Sequence, residues 1–110
     1  MTIDVNEQED GSTIIAIKDE MVIYNVLEQK NLLYPHIKPE HELQIDLSDV
    51  SEIDSAGIQL LIFLKNEATR QQTELSFINH SQAVVEVVEI FNLSSFFNDP
   101  VVLSADWDNS

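Results

Sequence analysis

The segment LSDVSEIDSAGI, residues 47–58, joins the end of a strand pattern to the start of a long helix pattern. Residues 43–47 alternate between apolar and polar, and this period of two predicts a strand with one buried face. From Ser55 to about Gln71 the apolar residues recur at helical spacing. Ser55 therefore lies in the first turn of a predicted helix, where unpaired backbone N–H groups favour an acceptor oxygen or a phosphate.

The elements before this stretch are predicted from the same patterns. Alternation over residues 3–5, a turn at Asp10-Gly11 and a β-branched run over residues 13–17 predict a β-hairpin. The apolar residues between Ile23 and Tyr34 follow helical spacing and predict a helix, which Pro35 closes.

The elements after it include one conflict between residue preference and pattern. Residues 75–78 predict a short strand. The valine-rich segment after Ser81 favours a strand by composition, but its polar residues recur every three or four positions, so we predict a helix with Ser81 as N-cap. Residues 92–100 are predicted to be a loop and residues 101–103 a last strand. The predicted order is β-β-α-β-α-β-α-β, a single sheet with helices packed against it.

Composition limits the architecture and the partners. The 110 residues, 44% of them hydrophobic, suit one compact domain, which we place at residues 1–103, followed by an acidic tail, residues 104–110, that contains Trp107. The formal net charge of −15 disfavours nucleic acid and anionic membranes as ligands, so a protein partner is expected. The absence of cysteine excludes disulfides and thiolate metal sites and is compatible with a reducing cytosol.

Other classes of function find no support in the sequence. The N-terminus lacks the pattern of a signal peptide, and the longest apolar run, residues 60–64, is far shorter than the roughly 20 residues of a membrane span, so we predict a cytoplasmic protein without membrane insertion. His36, His41 and His80 have no metal-ligand spacing, and no glycine-rich phosphate loop is present. We therefore predict no catalytic residue, no metal and no cofactor.

Residues 43–68 resemble the core of the STAS domain, the fold of bacterial anti-sigma factor antagonists. The resemblance depends on a strand that ends in Asp46-Leu47-Ser48, a short acidic segment, and then Asp54-Ser55-Ala56-Gly57-Ile58 at the start of an apolar helix. The remaining predicted elements agree in order and length, so the resemblance extends over residues 2–103. It implies an α/β fold, a single domain whose mixed β-sheet has its helices mainly on one face.

The resemblance also implies a phosphorylation site. In the family, the serine directly after the motif aspartate is phosphorylated by a partner that is both a serine kinase and an anti-sigma factor, and a phosphatase reverses the reaction. By position that serine is Ser55, next to Asp54. The family pattern implies that the unphosphorylated protein binds its partner and that the phosphorylated protein releases it. A phosphate adds about 1.5 to 2 negative charges, here close to Asp49, Glu52 and Asp54, so like charges would crowd the interface.

Two other STAS groups remain open as alternatives. The segment KDEMVIY, residues 18–24, replaces the Gly-Glu-Leu-Asp-like turn of anti-sigma factor antagonists. Together with residues 58–61, it is similar to the small STAS proteins that accompany bacterial chemotaxis kinases, whose partner is a chemotaxis signalling protein. The Ala-Gly of the motif also resembles the STAS subunit of lipid-transport ABC complexes. Either alternative permits a constitutive scaffold or regulatory subunit in which Ser55 only caps a helix.

Helix geometry predicts which face of the central helix is available to a partner. At about 100° per residue, with Gln59 at zero, the angles between roughly 100° and 200° hold the predicted core residues Leu60, Leu61, Leu64 and Ala68. The opposite side carries Ser55 together with Ile62 and Phe63, and apolar residues beside a modifiable hydroxyl are typical of an interface. Alternatively, the predicted loop with Phe96 and Phe97 covers them. The predicted partner-binding residues are Asp54, Ser55, Gln59, Ile62, Phe63 and Asn66.

Overall fold

The computed structural model describes residues 3–90. Within that range it contains four strands and three helices: β1 (Ile3–Glu7), β2 (Thr13–Ile17), α1 (Val26–Leu33), β3 (Glu42–Asp46), α2 (Ser55–Arg70), β4 (Glu74–Ile78) and α3 (Gln82–Ile90). A short 3-10 helix, Tyr34–His36, follows α1. The predicted loop over residues 92–100, the last strand and the acidic tail lie outside the described residues.

The four strands form one mixed sheet. Their order is β1-β2-β3-β4, with β1 antiparallel to β2 and the two later pairs parallel. The parallel pairs require crossover connections, which α1 and α2 provide. Since α1 and α2 contact each other, they lie on the same face of the sheet. The predicted α/β fold with a mixed sheet is confirmed.

The core lies between the sheet and the helices. Alternate strand residues point to opposite faces, and the buried set on the helix side includes Ile15, Ile17, Leu43, Ile45, Leu75 and Phe77. The opposite face is more open and more polar, with Gln44 half-buried and Ser76 exposed. The predicted core residues of α2 are all buried, so the predicted core face of that helix is confirmed.

Local sequence signals explain where several elements begin and end. The hairpin between β1 and β2 turns at Gly11, whose φ of +93° is the left-handed conformation that glycine adopts without strain. The hydroxyl of Ser81 accepts a hydrogen bond from the Val84 N–H at 3.3 Å, so Ser81 caps α3 as predicted.

The first helix is shorter than predicted. It begins at Val26 rather than at Ile23, and Tyr34 already belongs to the 3-10 helix. The N–H of Ile23 donates at 3.0 Å to a carboxylate oxygen of Asp54, 31 residues further along the chain. A tertiary contact therefore holds the segment before α1 outside the helix. No helix in residues 3–90 combines the length and the apolar character needed to cross a membrane.

Candidate functional site

The start of α2 is organised by Asp54. This residue is the N-cap in extended conformation, and its Oδ1 accepts a hydrogen bond from the Gly57 N–H at 3.1 Å. Its other carboxylate oxygen accepts from the Ile23 N–H. Ser55 is the first residue of the helix and is exposed. Since Asp54 caps the helix, the expectation that Ser55 itself could be the cap is wrong.

Gly57 permits a close approach between α2 and the backbone before α1. Met21 donates its N–H to the Glu52 carbonyl at 2.8 Å, and its own carbonyl accepts from the Asp54 N–H at 3.2 Å. A Cβ atom on Gly57 would lie 2.2 Å from the Met21 carbonyl oxygen, closer than any real contact. The glycine of the motif is therefore required by space, and it brings residues 21–23 against the first turn of α2.

This approach places a set of exposed apolar side chains beside the start of α2. Ile23, Tyr24 and Leu27 are 61%, 94% and 68% exposed. The sequence pattern places Ile23 and Leu27 among the apolar positions of the predicted first helix. For that reason they are not among the predicted site residues. The buried face of α1 contains the polar residue Gln29 rather than Leu27. The Gln29 side chain donates a hydrogen bond to the Glu20 carbonyl at 2.9 Å. In a helix of eight residues too few apolar positions exist to decide which face is buried.

A groove separates α1 from α2 next to these side chains. Its volume is about 320 Å³, and its lining residues are Val26, Leu27, Lys30, Ala56, Gln59, Leu60 and Phe63. The Phe63 ring in this lining stacks on the Tyr34 ring at 6.2 Å between centroids, and the Lys30 ammonium lies 4.7 Å from the centre of the Phe63 ring. We call this feature the α1–α2 groove.

The six predicted partner-binding residues divide into two groups. Ser55, Gln59 and Asn66 are exposed along one ridge of α2. Asp54 is half-buried by its capping role. Ile62 and Phe63 are half-buried and pack against the core, so the expectation that they lie opposite the core is wrong.

The reason is the width of the buried sector of α2. Ile58, at about 260° on the helical wheel, is buried, although the predicted core face ended near 200°. Lys65, at about 240°, donates to the Leu75 carbonyl of β4 at 2.6 Å, which places β4 beside that flank. Ile62 therefore lies on the β4 flank and Phe63 on the α1 flank, with the exposed ridge between them.

Carboxylates dominate the loops around the start of α2. Asp49 forms an exposed ion pair with Lys18 at 2.8 Å. Partial burial alone would raise the pKa of Asp46, but hydrogen bonds from Ser48 and Asn79 outweigh it and hold that pKa below its ordinary value. Asp46 is therefore ionised at neutral pH. In the described part of the chain, no group of three or more acidic or histidine side chains is arranged to hold a metal ion.

Comparison with known proteins supplies the family. The sequence model of the STAS domain matches residues 3–106. An anti-sigma-factor antagonist (STAS) domain protein from Planctomyces limnophilus has a similar fold, with a TM-score of 0.72, 18% sequence identity, and coverage of 94% of this chain and 96% of that chain. The unphosphorylated anti-sigma factor antagonist SpoIIAA is also similar, with a TM-score of 0.65, 16% identity, and coverage of 83% and 81%. The chain belongs to the STAS domain family.

Proposed function

We propose that the protein is a non-catalytic binding module whose docking to a protein partner is switched by phosphorylation of Ser55. The main support for the proposal is that two adjacent side chains at the start of α2 have different roles: Asp54 makes the structural hydrogen bonds, and Ser55 makes none in the described part of the chain. The Asp54 carboxylate accepts hydrogen bonds from the Gly57 and Ile23 N–H groups, whereas the Ser55 hydroxyl is exposed and has no hydrogen-bond partner among residues 3–90. A kinase can therefore modify Ser55 without removing the cap of the helix.

Charge explains why the modification would end docking. The phosphate adds about 1.5 to 2 negative charges directly beside the Asp54 carboxylate, in a region where Glu52 is also exposed. A partner that packs closely on this surface would have to strip water from all of these charges. The unpaired N–H groups of the first turn favour the phosphate by up to about 1 kcal/mol, so the phosphoprotein stays folded while it loses its partner.

The proposed partner is a regulatory protein that also acts as, or works with, a serine kinase. Its class is an anti-sigma factor with kinase activity, in line with the anti-sigma factor antagonists of the same fold, and a phosphatase restores the binding form. The alternative partner is a chemotaxis signalling protein, because residues 18–24 resemble the STAS proteins that accompany chemotaxis kinases. The identity of the captured protein would distinguish an anti-sigma factor from a chemotaxis protein.

The test is quantitative affinity capture from cells of the source organism. The baits are the wild-type protein, Ser55→Asp, and the control Ser76→Asp, which adds the same charge at an exposed position on the sheet face away from the helices. We expect one partner protein to be retained by the wild type and by the control, and to be reduced at least about tenfold on Ser55→Asp, a difference of about 1.4 kcal/mol. Equal retention by all three baits would identify a constitutive scaffold and contradict the switch.

A further inference from the structure

The α1–α2 groove combines an apolar lining with an exposed apolar rim. Leu27 and Val26 line it from α1, and Ala56, Leu60 and Phe63 line it from α2. Ile23 and Tyr24 extend the apolar surface beyond Leu27, towards the start of α2. Contiguous exposed apolar surface of this kind marks a site of interaction rather than an ordinary protein exterior.

The volume of the groove indicates the size of its occupant. At about 320 Å³ it lies at the lower limit of the roughly 300–1,000 Å³ typical of small-molecule pockets. Its lining contains a single cationic group, Lys30, and that ammonium already lies over the Phe63 ring. A groove between two helices with few polar groups suits apolar side chains presented by an amphipathic helix.

The charge around the α1–α2 groove distinguishes between the possible occupants. A second copy of this protein would bring together two chains of net charge −15. The protein's own C-terminal segment carries Asp106 and Asp108 on either side of Trp107, so its charge has the same sign as the surroundings of the groove. Asp54 directly precedes Ser55, the exposed Glu52 lies two residues before Asp54, and backbone hydrogen bonds hold both residues against Met21. Positive charge on the occupant complements them.

We propose that the α1–α2 groove receives an apolar anchor from a basic amphipathic helix of the partner. The inference rests on the proposed function, because it names the binding element of that same partner. Leu27 contacts the anchor from α1 and Phe63 from α2, while basic residues on the flanks of the helix face Glu52 and Asp54. Ser55 lies one helical turn before Gln59, which lines the groove. A phosphate on Ser55 is attracted to the basic flanks of the helix, but its bulk and bound water keep the apolar anchor out of this end of the groove, and this exclusion outweighs the attraction.

Defined peptides test the groove without knowledge of the partner. The probe is an alanine-based peptide of about 18 residues, long enough to be helical in water, with two leucines four positions apart and lysines on both flanks. One matched peptide replaces the leucines with alanine, and another replaces the lysines with glutamate. Binding is followed by the backbone amide signals of the isotope-labelled full chain in NMR titrations.

We expect the leucine–lysine peptide to shift the amide signals of Ala56, Gln59 and Phe63. The alanine peptide should bind about tenfold more weakly or worse, as the loss of one or two buried leucine side chains implies. Leu27→Asp should weaken binding by a similar factor, whereas Ile90→Asp should not. The control substitution removes an aliphatic side chain that is 77% exposed on α3 and adds the same charge.

The inference would be overturned if millimolar leucine–lysine peptide caused no shift, or only shifts on the open face of the sheet. It would also be overturned if the alanine or the glutamate peptide bound as tightly as the leucine–lysine peptide, or if Leu27→Asp bound that peptide as tightly as the wild type. Failure of the proposed function is distinguishable from these. If Leu27→Asp abolishes peptide binding and Ser55→Asp leaves partner capture unchanged, the groove is a docking site and the phosphoswitch is wrong. If Ser55→Asp abolishes partner capture and Leu27→Asp does not change peptide binding, the phosphoswitch is supported and the groove is not the docking site.

Discussion

Replacement of Gly57 by alanine tests why the motif contains glycine. The new Cβ atom would lie 2.2 Å from the Met21 carbonyl oxygen and 2.6 Å from Cγ1 of Ile53. Both obstacles belong to buried residues, Met21 before α1 and Ile53 before α2, which pair with each other. The helix must therefore move away from these two residues, or they must move away from the helix.

The size of the effect follows from opposing terms. Alanine in place of glycine favours a helix by about 1 kcal/mol. Overpacking of a buried contact costs about 1–3 kcal/mol. If the shift also breaks the two hydrogen bonds of the Met21 backbone, to Glu52 and from Asp54, about 1 kcal/mol is lost for each. With both hydrogen bonds broken, the free energy of unfolding should fall by about 2–4 kcal/mol, a large part of the 5–15 kcal/mol typical of a small domain.

Urea denaturation followed by circular dichroism measures this change. The matched control is Asn66→Ala, which introduces the same residue at an exposed position of the same helix and should stabilise by a few tenths of a kcal/mol through helix propensity. If Gly57→Ala is as stable as the wild type, or more stable, helix propensity outweighs the contact with Met21. The close approach of α2 to Met21 would then not be the reason for glycine at this position.

Two further predictions concern single carboxylates. Asp54→Ala should lower the free energy of unfolding by about 2 kcal/mol, measured by the same urea denaturation. The substitution removes an N-cap worth about 1 kcal/mol and the hydrogen bond from Ile23, which is of similar value. A loss below about 0.5 kcal/mol would contradict this double role of the Asp54 side chain. Hydrogen bonds, the largest from Arg70, lower the pKa of Glu67 from 4.5 to about 2. The stabilisation from the ionised group is therefore complete above pH 4.5 and is lost as the pH falls through about 2. A carboxyl-carbon NMR titration should show this low pKa in the wild type and a value closer to 4.5 in Arg70→Gln, and an unchanged value in the variant would contradict the assignment.

Periodicity in the sequence was sufficient for those parts of the fold that depend on neighbours along the chain. Alternation over residues 43–47 predicted β3, and the spacing of the apolar residues predicted α2 with its buried face. The polar spacing after Ser81 outweighed the β preference of the valines and correctly predicted α3. These signals are local because each residue's face follows from its position in one strand or one helix.

The site depends on contacts between distant segments, and these left no such signal. The hydrogen bond from Ile23 to Asp54 spans 31 residues, and it leaves Ile23 exposed instead of in the core. The half-buried positions of Ile62 and Phe63 likewise depend on β4 and α1, which widen the buried sector of α2. The motif did predict Ser55 as the exposed residue at the start of α2, but not the apolar surface beside it.

The most direct test of the phosphoswitch is calorimetry of the captured partner with protein that carries phosphoserine at position 55, incorporated during translation. We expect the unmodified protein to bind and the phosphoprotein to bind at least about 100-fold more weakly, a difference of about 2.7 kcal/mol, while both forms unfold at similar urea concentrations. Equal affinity of the two forms would contradict the claim that Ser55 controls docking.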